Sequence, residues 1–460
     1  MLNPRSWRSF HTMMVLIAAA FVVSFNIHQS SPLFVDQSQQ QSQKFHDWKS
    51  TIQCSISKST HTRAAESNSS SSLINPTMYP KLHNLVYKWK SSSISINDTI
   101  RELSAIIIAP VYKTHRPSQG IIFVKTHKTG SSTVASVLKS IATAHNLTAP
   151  VFYGPGERRR TWDVADKLDK AMRFYTTNPN IRGAPYDVWS DHSNYDNLLR
   201  ERIVPSAEKI LSIVRDPASR VRSSCDYFHC CPYDKGNASV WNEFVLSEGS
   251  TKSFKKEKRS NCKIERMSKH IVGNGMLKHG STEQNLQEVI EAVKSKKYIL
   301  LVMERMIESM LVLWYEYKLH PLDVAFISKK VRSRNIVPAN RRDETTTKAE
   351  NVIRMLNPND TKLYEVANIQ LDEYMDDVVF ANSSSSTGEL ERAKDDLAAL
   401  SNLVQEVCGR VNVMDNESEI FYGRGVAAPE LEYWCSEKQL DGVKWHHVHM
   451  LILEGRSHWL

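Results

Sequence analysis

Several patterns that would place a chain of 460 residues in a common class are missing from this one. There is no Gly-x4-Gly-Lys-Ser/Thr, so a nucleotide kinase or NTPase built on a Walker loop is excluded. No Asp-x-Asp occurs, which removes the metal–nucleotide-sugar signature carried by many glycosyltransferases. Cysteines number only seven and show no repeated Cys-x-x-Cys, so a zinc site is not expected. No fixed repeat period is present, and 16 Gly and 17 Pro are too few for a fibrous or low-complexity chain. What remains is 41% hydrophobic, 9% aromatic and 24% charged, enough for one large or two ordinary globular domains. Lys and Arg exceed Asp and Glu by 59 to 50, a net charge of +9. That balance suits anionic partners such as phosphates, sulfates and acidic glycans, and falls short of what nucleic-acid packaging needs.

The N-terminus sets the expected compartment. Met13 to Val23 is continuously apolar, and Phe25 and Ile27 extend the run past Ser24 and Asn26. A membrane span needs ~20 mostly apolar residues and a signal-peptide core ~7–15. Length favours cleavage, but no small-x-small site follows at the right distance, so residues 13–27 are read as an uncleaved signal anchor. Arg5 and Arg8 precede it and no Lys or Arg follows until Lys44. The positive-inside rule then leaves residues 1–12 in the cytosol and everything beyond 27 in a lumen. Seven Asn-x-Ser/Thr triplets (Asn68, Asn97, Asn146, Asn237, Asn359, Asn382, Asn416) agree with that side of the membrane. So does the expectation of scattered disulfides, with Cys54 either a candidate intermolecular bridge or an idle thiol.

Residues 28–80 are Ser- and Gln-rich and read as a flexible stem; residues 81–460 read as the luminal domain. From Ile121 to about Met414, strand-like and helix-like patterns alternate, which points to an α/β fold. Ile121–Val124, Ile210–Val214 and Tyr298–Val302 have the continuous apolar character of buried parallel strands. Val134, Val137, Leu138 and Ile141 fall on one helical face after the first, and Met306, Met310, Leu311 and Trp314 on another after the third. A longer stripe, Leu390 to Val407, reads as a packing face.

The first strand runs straight into Lys125-Thr-His-Lys-Thr-Gly-Ser-Ser-Thr133. A strand, a tight loop with one Gly and a helix opening on hydroxyl residues form an anion cradle, because free N–H groups and the positive end of the helix dipole meet there. Gly130 allows close approach, Ser131, Ser132 and Thr133 offer hydroxyls, and Lys128 supplies a point charge. Ser and Thr would also cap an ordinary helix. The second strand ends in Arg215-Asp-Pro217, at the edge where open α/β sheets bind ligands, although a structural salt bridge is the common use of such a pair. Ser223 lies about two turns on.

Together, residues 123–133 and the Arg215-x7-Ser223 spacing resemble the 3′-phosphoadenylyl sulfate (PAPS) sites of carbohydrate sulfotransferases. The closest resemblance is to the galactose-3-O-sulfotransferase family, which includes galactosylceramide sulfotransferase. It covers roughly residues 119 to 345. The resemblance implies an α/β fold with a P-loop-like parallel sheet flanked by helices, and a single-pass type II Golgi membrane protein. The implied reaction is sulfation of galactose, with the 3-hydroxyl favoured, on a glycolipid or glycoprotein. By this likeness Lys128, Thr129, Gly130, Ser131, Ser132 and Thr133 would hold the donor's 5′-phosphosulfate, and Arg215 and Ser223 its 3′-phosphate. No metal and no nucleic acid are expected, and a homodimer is left open.

Sulfuryl transfer resembles phosphoryl transfer, so positioning and charge stabilisation carry it. Lys128 would stabilise the departing phosphate, and a base is needed for the sugar hydroxyl. His192, in Trp189-Ser-Asp-His192, is the chosen base, since it resembles an Asn/Asp-His pair that the family places before the second strand. His127 is the alternative, shaping the loop or touching donor or acceptor. Glu304 and Asn340-Arg-Arg342 read first as salt bridges or solvated turns. The basic stretches Arg158–Arg160 and Lys255–Lys269 read as exposed loops. The tail from Phe421, with Trp434 and several His, lies beyond the resemblance. Two other readings stay open: a sulfotransferase for another glycan, such as a glycosaminoglycan uronic acid, and a non-catalytic glycan-binding protein.

Overall fold

All three apolar runs are strands, with the bounds their sequence suggests, and their parallel pairing fixes where the loops that follow them meet. The protein is described by a computed structural model covering residues 73–74, 77–113, 116–151, 175–176, 185–193, 195–228, 238–247, 266–272, 282–327, 343–380, 387–414, 421–423, 427 and 429–439. These lie within the unit Ser69–Leu460. The signal-anchor reading at 13–27, Cys54, Arg158–Arg160, residues 255–265, Asn340–Arg342 and residues 440–460 fall outside the described residues. No helix among the described residues is long and apolar enough to cross a membrane.

The strands are β1 (Ile121–Val124), β2 (Pro150–Val151), β3 (Tyr175–Thr176), β4 (Val188–Trp189), β5 (Ile210–Val214), β6 (Tyr298–Val302), β7 (Asn412–Met414) and β8 (Phe421–Gly423). The helices are α1 (Pro80–Lys90), α2 (Ile96–Ile107), α3 (Pro110–Lys113), α4 (Ser131–Ala144), α5 (Pro217–Phe228), α6 (Ala238–Leu246) and α7 (Arg266–Val272). After them come α8 (Thr282–Lys294), α9 (Met306–Tyr317), α10 (Pro321–Val324), α11 (Glu344–Leu356), α12 (Pro358–Phe380), α13 (Thr387–Val411) and α14 (Pro429–Gln439). β4, β1, β5 and β6 form, in that order, a four-stranded all-parallel sheet. β2 and β3 pair antiparallel, as do β7 and β8.

The order 4-1-5-6 has a direct consequence. From β1 the chain crosses to β4 on one side, then returns past β1 to place β5 on the other, so the connections diverge at β1 and β5. In open parallel sheets the crevice at such a switch point, outside the carboxyl ends of the strands, is where ligands bind. All side chains of β1, β5 and β6 are buried, as expected for strands covered on both faces. Val134, Val137, Leu138 and Ile141 of α4 are buried against them, as are Met310 and Leu311 of α9. On α13 the stripe Ala393, Leu397, Leu400, Val404 and Val407 is buried. Leu73 and Ile74, inside the span read as stem, belong to the same core.

β6 is the outermost strand of the sheet, and α12 covers it. The Leu300 N–H donates to Gln370 Oε1 at 2.9 Å, and Gln370 Nε2 donates to the carbonyls of Tyr298 (2.7 Å) and Val293 (2.6 Å). One side chain thus satisfies edge groups that would otherwise be open to pairing. A second, smaller core joins Ala218, Val221 and Cys225 of α5 to Trp241 and Val245 of α6 and Ala349 and Ile353 of α11. It fixes the helix that follows β5.

Behind α4 lies a buried polar network. The Asp323 carboxylate accepts from His145 Nε2 (2.9 Å), the Tyr112 hydroxyl (3.0 Å) and the His320 N–H (2.9 Å), and Trp434 Nε1 donates to the Tyr112 oxygen at 3.0 Å. Burial alone would raise the Asp323 carboxyl, but His145, His320 and Lys438 hold it below the usual carboxylate value. The Lys438 ammonium donates to the carbonyls of Leu322, Asp323 and Ala325 at 2.7–3.0 Å. A disulfide, Cys408–Cys435, ties α14 to α13 across a separation of 27 residues; Cys225 is also disulfide-bonded. Trp434 and the start of the tail are therefore packed. Replacing both Cys408 and Cys435 by Ser should cost about 3 kcal/mol of stability, from the loop-closure entropy restored to the unfolded chain. Denaturant unfolding of the oxidised protein and the variant measures it.

Candidate active site

Residues 125–130 join β1 to α4. Two of them have left-handed backbone: Lys128 at φ 62° and Gly130 at φ 76°. The turn is held from inside by hydroxyls, whose directions follow from single protons. Thr126 Oγ1 donates to the Ile213 carbonyl on β5 (2.6 Å), so the 2.7 Å contact between Thr129 and Thr126 runs from the Thr129 hydroxyl to the Thr126 oxygen. Ser131 Oγ donates back to the Thr126 carbonyl. Thr126, Thr129 and Ser131 are buried. Of the hydroxyls singled out from sequence, Thr129 and Ser131 therefore shape the loop; Ser132 is half-buried and Thr133 buried. Ser131 can still contribute its backbone N–H, since the first N–H groups of a helix have no acceptor within it.

Gly130 is needed for its backbone and for its lack of a side chain. A Cβ there would stand 3.1 Å from Met303 Cγ and 3.1 Å from Met306 Cε, the residues just after β6. Those methionines wall the loop on one side.

On the other side of the switch point, Arg215 follows β5. Its Nη1 donates to the Lys128 carbonyl at 3.2 Å, and its Nε lies 3.7 Å from Glu304 Oε1. Nε is buried and makes no hydrogen bond among the described residues. Burial pulls this guanidinium below its usual pKa, against Glu304 and Asp216. Burial likewise raises the Glu304 carboxyl, with Arg215 opposing. Asp216 does the structural work of the Arg-Asp-Pro motif: Oδ1 accepts the Ser219 N–H at 2.9 Å and Oδ2 accepts Arg354 Nε at 2.8 Å. Ser223 lies half-buried two turns along α5. Glu304 is at the site, in the ion pair its sequence context suggested. Met267, at the end of the basic stretch, accepts the Arg215 N–H through Sδ at 3.4 Å.

His192 comes to the same place from β4. Its Nδ1 lies 3.1 Å from the Lys125 carbonyl. A carbonyl only accepts, so Nδ1 carries the proton and Nε2 keeps its lone pair. The ring stacks on His127, with centroids 4.3 Å apart and planes at 16°, and His127 meets His270 edge-on at 5.3 Å. Burial first, then the charges of Lys125, His127 and His270, push His192 well below the ordinary imidazole pKa, with Asp191 pulling the other way. Asp191 is held by Lys139 of α4 at 3.2 Å, and Trp189 Nε1 donates to Ser193 Oγ at 3.1 Å.

The structure thus gathers Lys128, His127, His192 and Arg215 around one loop. The two-residue strand β4, which delivers His192, is too short for periodicity to detect. His270, one of 17 histidines, carries no motif. Among the described residues, no group of three or more His, Cys, Asp or Glu is arranged to hold a metal ion.

A parallel sheet flanked by helices, with a left-handed strand–loop–helix turn beside a half-buried arginine at its switch point, defines an α/β protein. Within that class the chain belongs to the galactose-3-O-sulfotransferase family, whose sequence model matches residues 71–406. It is similar to galactose-3-O-sulfotransferase 4 of Homo sapiens, with 32% identity over 133 residues, 28% of this chain and 26% of that protein. It is also similar to galactose-3-O-sulfotransferase 3 of Homo sapiens, with 28% identity over 113 residues, 24% of each. The matched stretch spans about a quarter of the length of these relatives. No solved structure matches.

Gly130→Ala forces a side chain into left-handed backbone and against the methionine wall, and should cost about 1–2 kcal/mol. Thermal unfolding of the variant measures it; an unchanged midpoint would show that the turn can rearrange.

Proposed function

We propose that this protein transfers the sulfuryl group of PAPS to a galactose hydroxyl, the 3-hydroxyl, on a glycolipid or glycoprotein. The observation that carries this reading is the His192 imidazole, its Nδ1 3.1 Å from the Lys125 carbonyl and its Nε2 left to accept, packed against the loop that bears Lys128. Family membership supports a galactose acceptor, since the relatives are named for that activity.

The residues fit a donor with two anionic ends. Arg215 presents a buried Nε that makes no hydrogen bond among the described residues. Lys128 and the backbone from Thr129 to Thr133, with the hydroxyls of Ser132 and Thr133, would hold the 5′-phosphosulfate; Arg215 and Ser223 would hold the 3′-phosphate. The acceptor oxygen bonds to sulfur as the bond from sulfur to the phosphate oxygen breaks. The hydroxyl proton goes to His192 Nε2, and Lys128 stabilises the negative charge that builds on the departing phosphate. His127 holds the His192 ring by stacking.

The protein would act in the Golgi lumen as a type II membrane protein anchored at residues 13–27. The disulfides at Cys408–Cys435 and Cys225 support an oxidising compartment, and the exposure of Asn97 and Asn146 leaves those two sequons accessible to glycosylation.

The full-length chain, incubated with radiolabelled PAPS and a panel of galactosides, glycolipids and glycosaminoglycans, should label galactose-terminated acceptors. Labelling of uronic-acid chains alone would move the acceptor class, and no labelling would leave a glycan-binding protein. Lys128→Ala should lower kcat by roughly 10²–10³-fold. His192→Ala should lower it by roughly 10²–10⁴-fold while affinity for adenosine 3′,5′-bisphosphate, measured by calorimetry, stays within about threefold. Equal losses in kcat and affinity would make His192 structural.

The pH dependence has a definite sign. The folded-state pKa of His192 lies below the free value near ~6.5, so the base is unprotonated at pH 7 and remains so as pH falls through ~6.5. The acid limb of kcat/KM should therefore lie below ~6.5; a limb at or above that value would assign it to another group.

A further inference from the structure

Lys128 is fixed twice through its backbone, by a left-handed φ and by the hydrogen bond from Arg215 to its carbonyl. Its side chain has a third attachment. The Nζ lies over the ring of Tyr227, 3.7 Å from the centroid. Tyr227 stands in the last turn of α5 and is 47% exposed, so the pair sits at the surface where a ligand arrives. The helix beneath it is rigidly placed: Ala218, Val221 and Cys225 are buried in the smaller core. Ser223 and Tyr227, four residues apart, share a different stripe of the same helix. Phe228 meets Tyr227 edge-on at 4.9 Å and reaches toward His127 at 6.4 Å, which links the ring to the histidine pair.

A ring face attracts a cation through its quadrupole. A lysine on a flexible four-carbon stem loses rotamer freedom when it is fixed, and a platform that fixes it beforehand removes that cost from ligand binding. We infer that Tyr227 is the positioning residue for the Lys128 ammonium, aiming it at the sulfuryl end of the donor; this rests on the reading of Lys128 as a donor-binding group. α5 rises ~1.5 Å per residue, so Tyr227 stands about 6 Å beyond Ser223 along the helix axis. One helical stripe then serves both ends of the donor: Ser223 toward the 3′-phosphate and Tyr227 toward the lysine at the transferring group. In this chain the Arg-x7-Ser spacing extends functionally to Arg-x7-Ser-x3-Tyr.

The test uses full-length protein and the variants Y227F, Y227L, K128A and Y227L/K128A, with two readouts. In the first, without nucleotide, limiting acetic anhydride modifies Lys128 and peptide mass spectrometry gives the rate. Removal of the ring should speed the reaction about threefold or more in Y227L, with Y227F matching wild type; equal rates in all three overturn the inference. In the second, calorimetry gives the affinity for adenosine 3′,5′-bisphosphate. Y227L should weaken it about tenfold, Y227F should stay within about twofold of wild type, and Y227L should add nothing in the K128A background. An undiminished effect of Y227L without Lys128, or a Y227F as weak as Y227L, overturns the inference. Equal binding by wild type and K128A refutes instead the donor role of Lys128, and the acylation rates then decide the Tyr227 contact by themselves.

Discussion

The hydroxyl relay from Thr129 through Thr126 to the Ile213 carbonyl is the interaction on which the candidate site depends. It crosses from the loop after β1 to the carboxyl end of β5, so it fixes the turn against a strand and not against solvent. Because each hydroxyl has one proton, the relay also decides which groups look inward. Two threonines and Ser131 are consumed in holding a left-handed turn. A loop of small polar residues would otherwise be the most mobile part of an α/β edge.

Around that turn, three charged or titratable groups come from three different crossovers. Arg215 arrives at the end of β5, Glu304 just after β6, and His192 just after β4. Only a parallel sheet with strand order 4-1-5-6 brings these ends to one crevice. Arg215 is paired with Glu304 at 3.7 Å through Nε and with a carbonyl through Nη1, which keeps a half-buried cation compensated without closing its donor set. His192 is kept neutral by the same surroundings, since burial and nearby positive charge both oppose a second proton. The basicity a proton acceptor loses in this way is exchanged for availability at neutral and mildly acidic pH.

Much of this was legible in the sequence, and the reasons are physical. Continuous apolar runs declared the three long strands, because strands covered on both faces have no polar side to show. The strand–loop–Gly–hydroxyl pattern declared the cradle. The two-residue β4 could not be seen, since a period of two needs more than two residues, and so the placement of His192 rested on resemblance alone. The division of labour among Thr129, Ser131, Ser132 and Thr133 was also hidden, because all four residue types suit either role and only the fold assigns the protons. Tyr227 stood in plain reach of the helical period, four residues past Ser223, but periodicity does not say that the facing partner is a lysine from a different segment.

The wall of the turn has a bearing on how the molecule is made. Lys128 and Gly130 leave the ribosome some 175 residues before Met303, Glu304 and Met306, and the helix that locks the back of α4 follows later still. During synthesis the loop therefore has its partners on β5 before it has its methionine wall. A nascent chain halted before β6 would contain the loop and its contacts to β5 but neither the methionine wall nor the Glu304 partner of Arg215, so the surroundings of the turn are completed late in biogenesis.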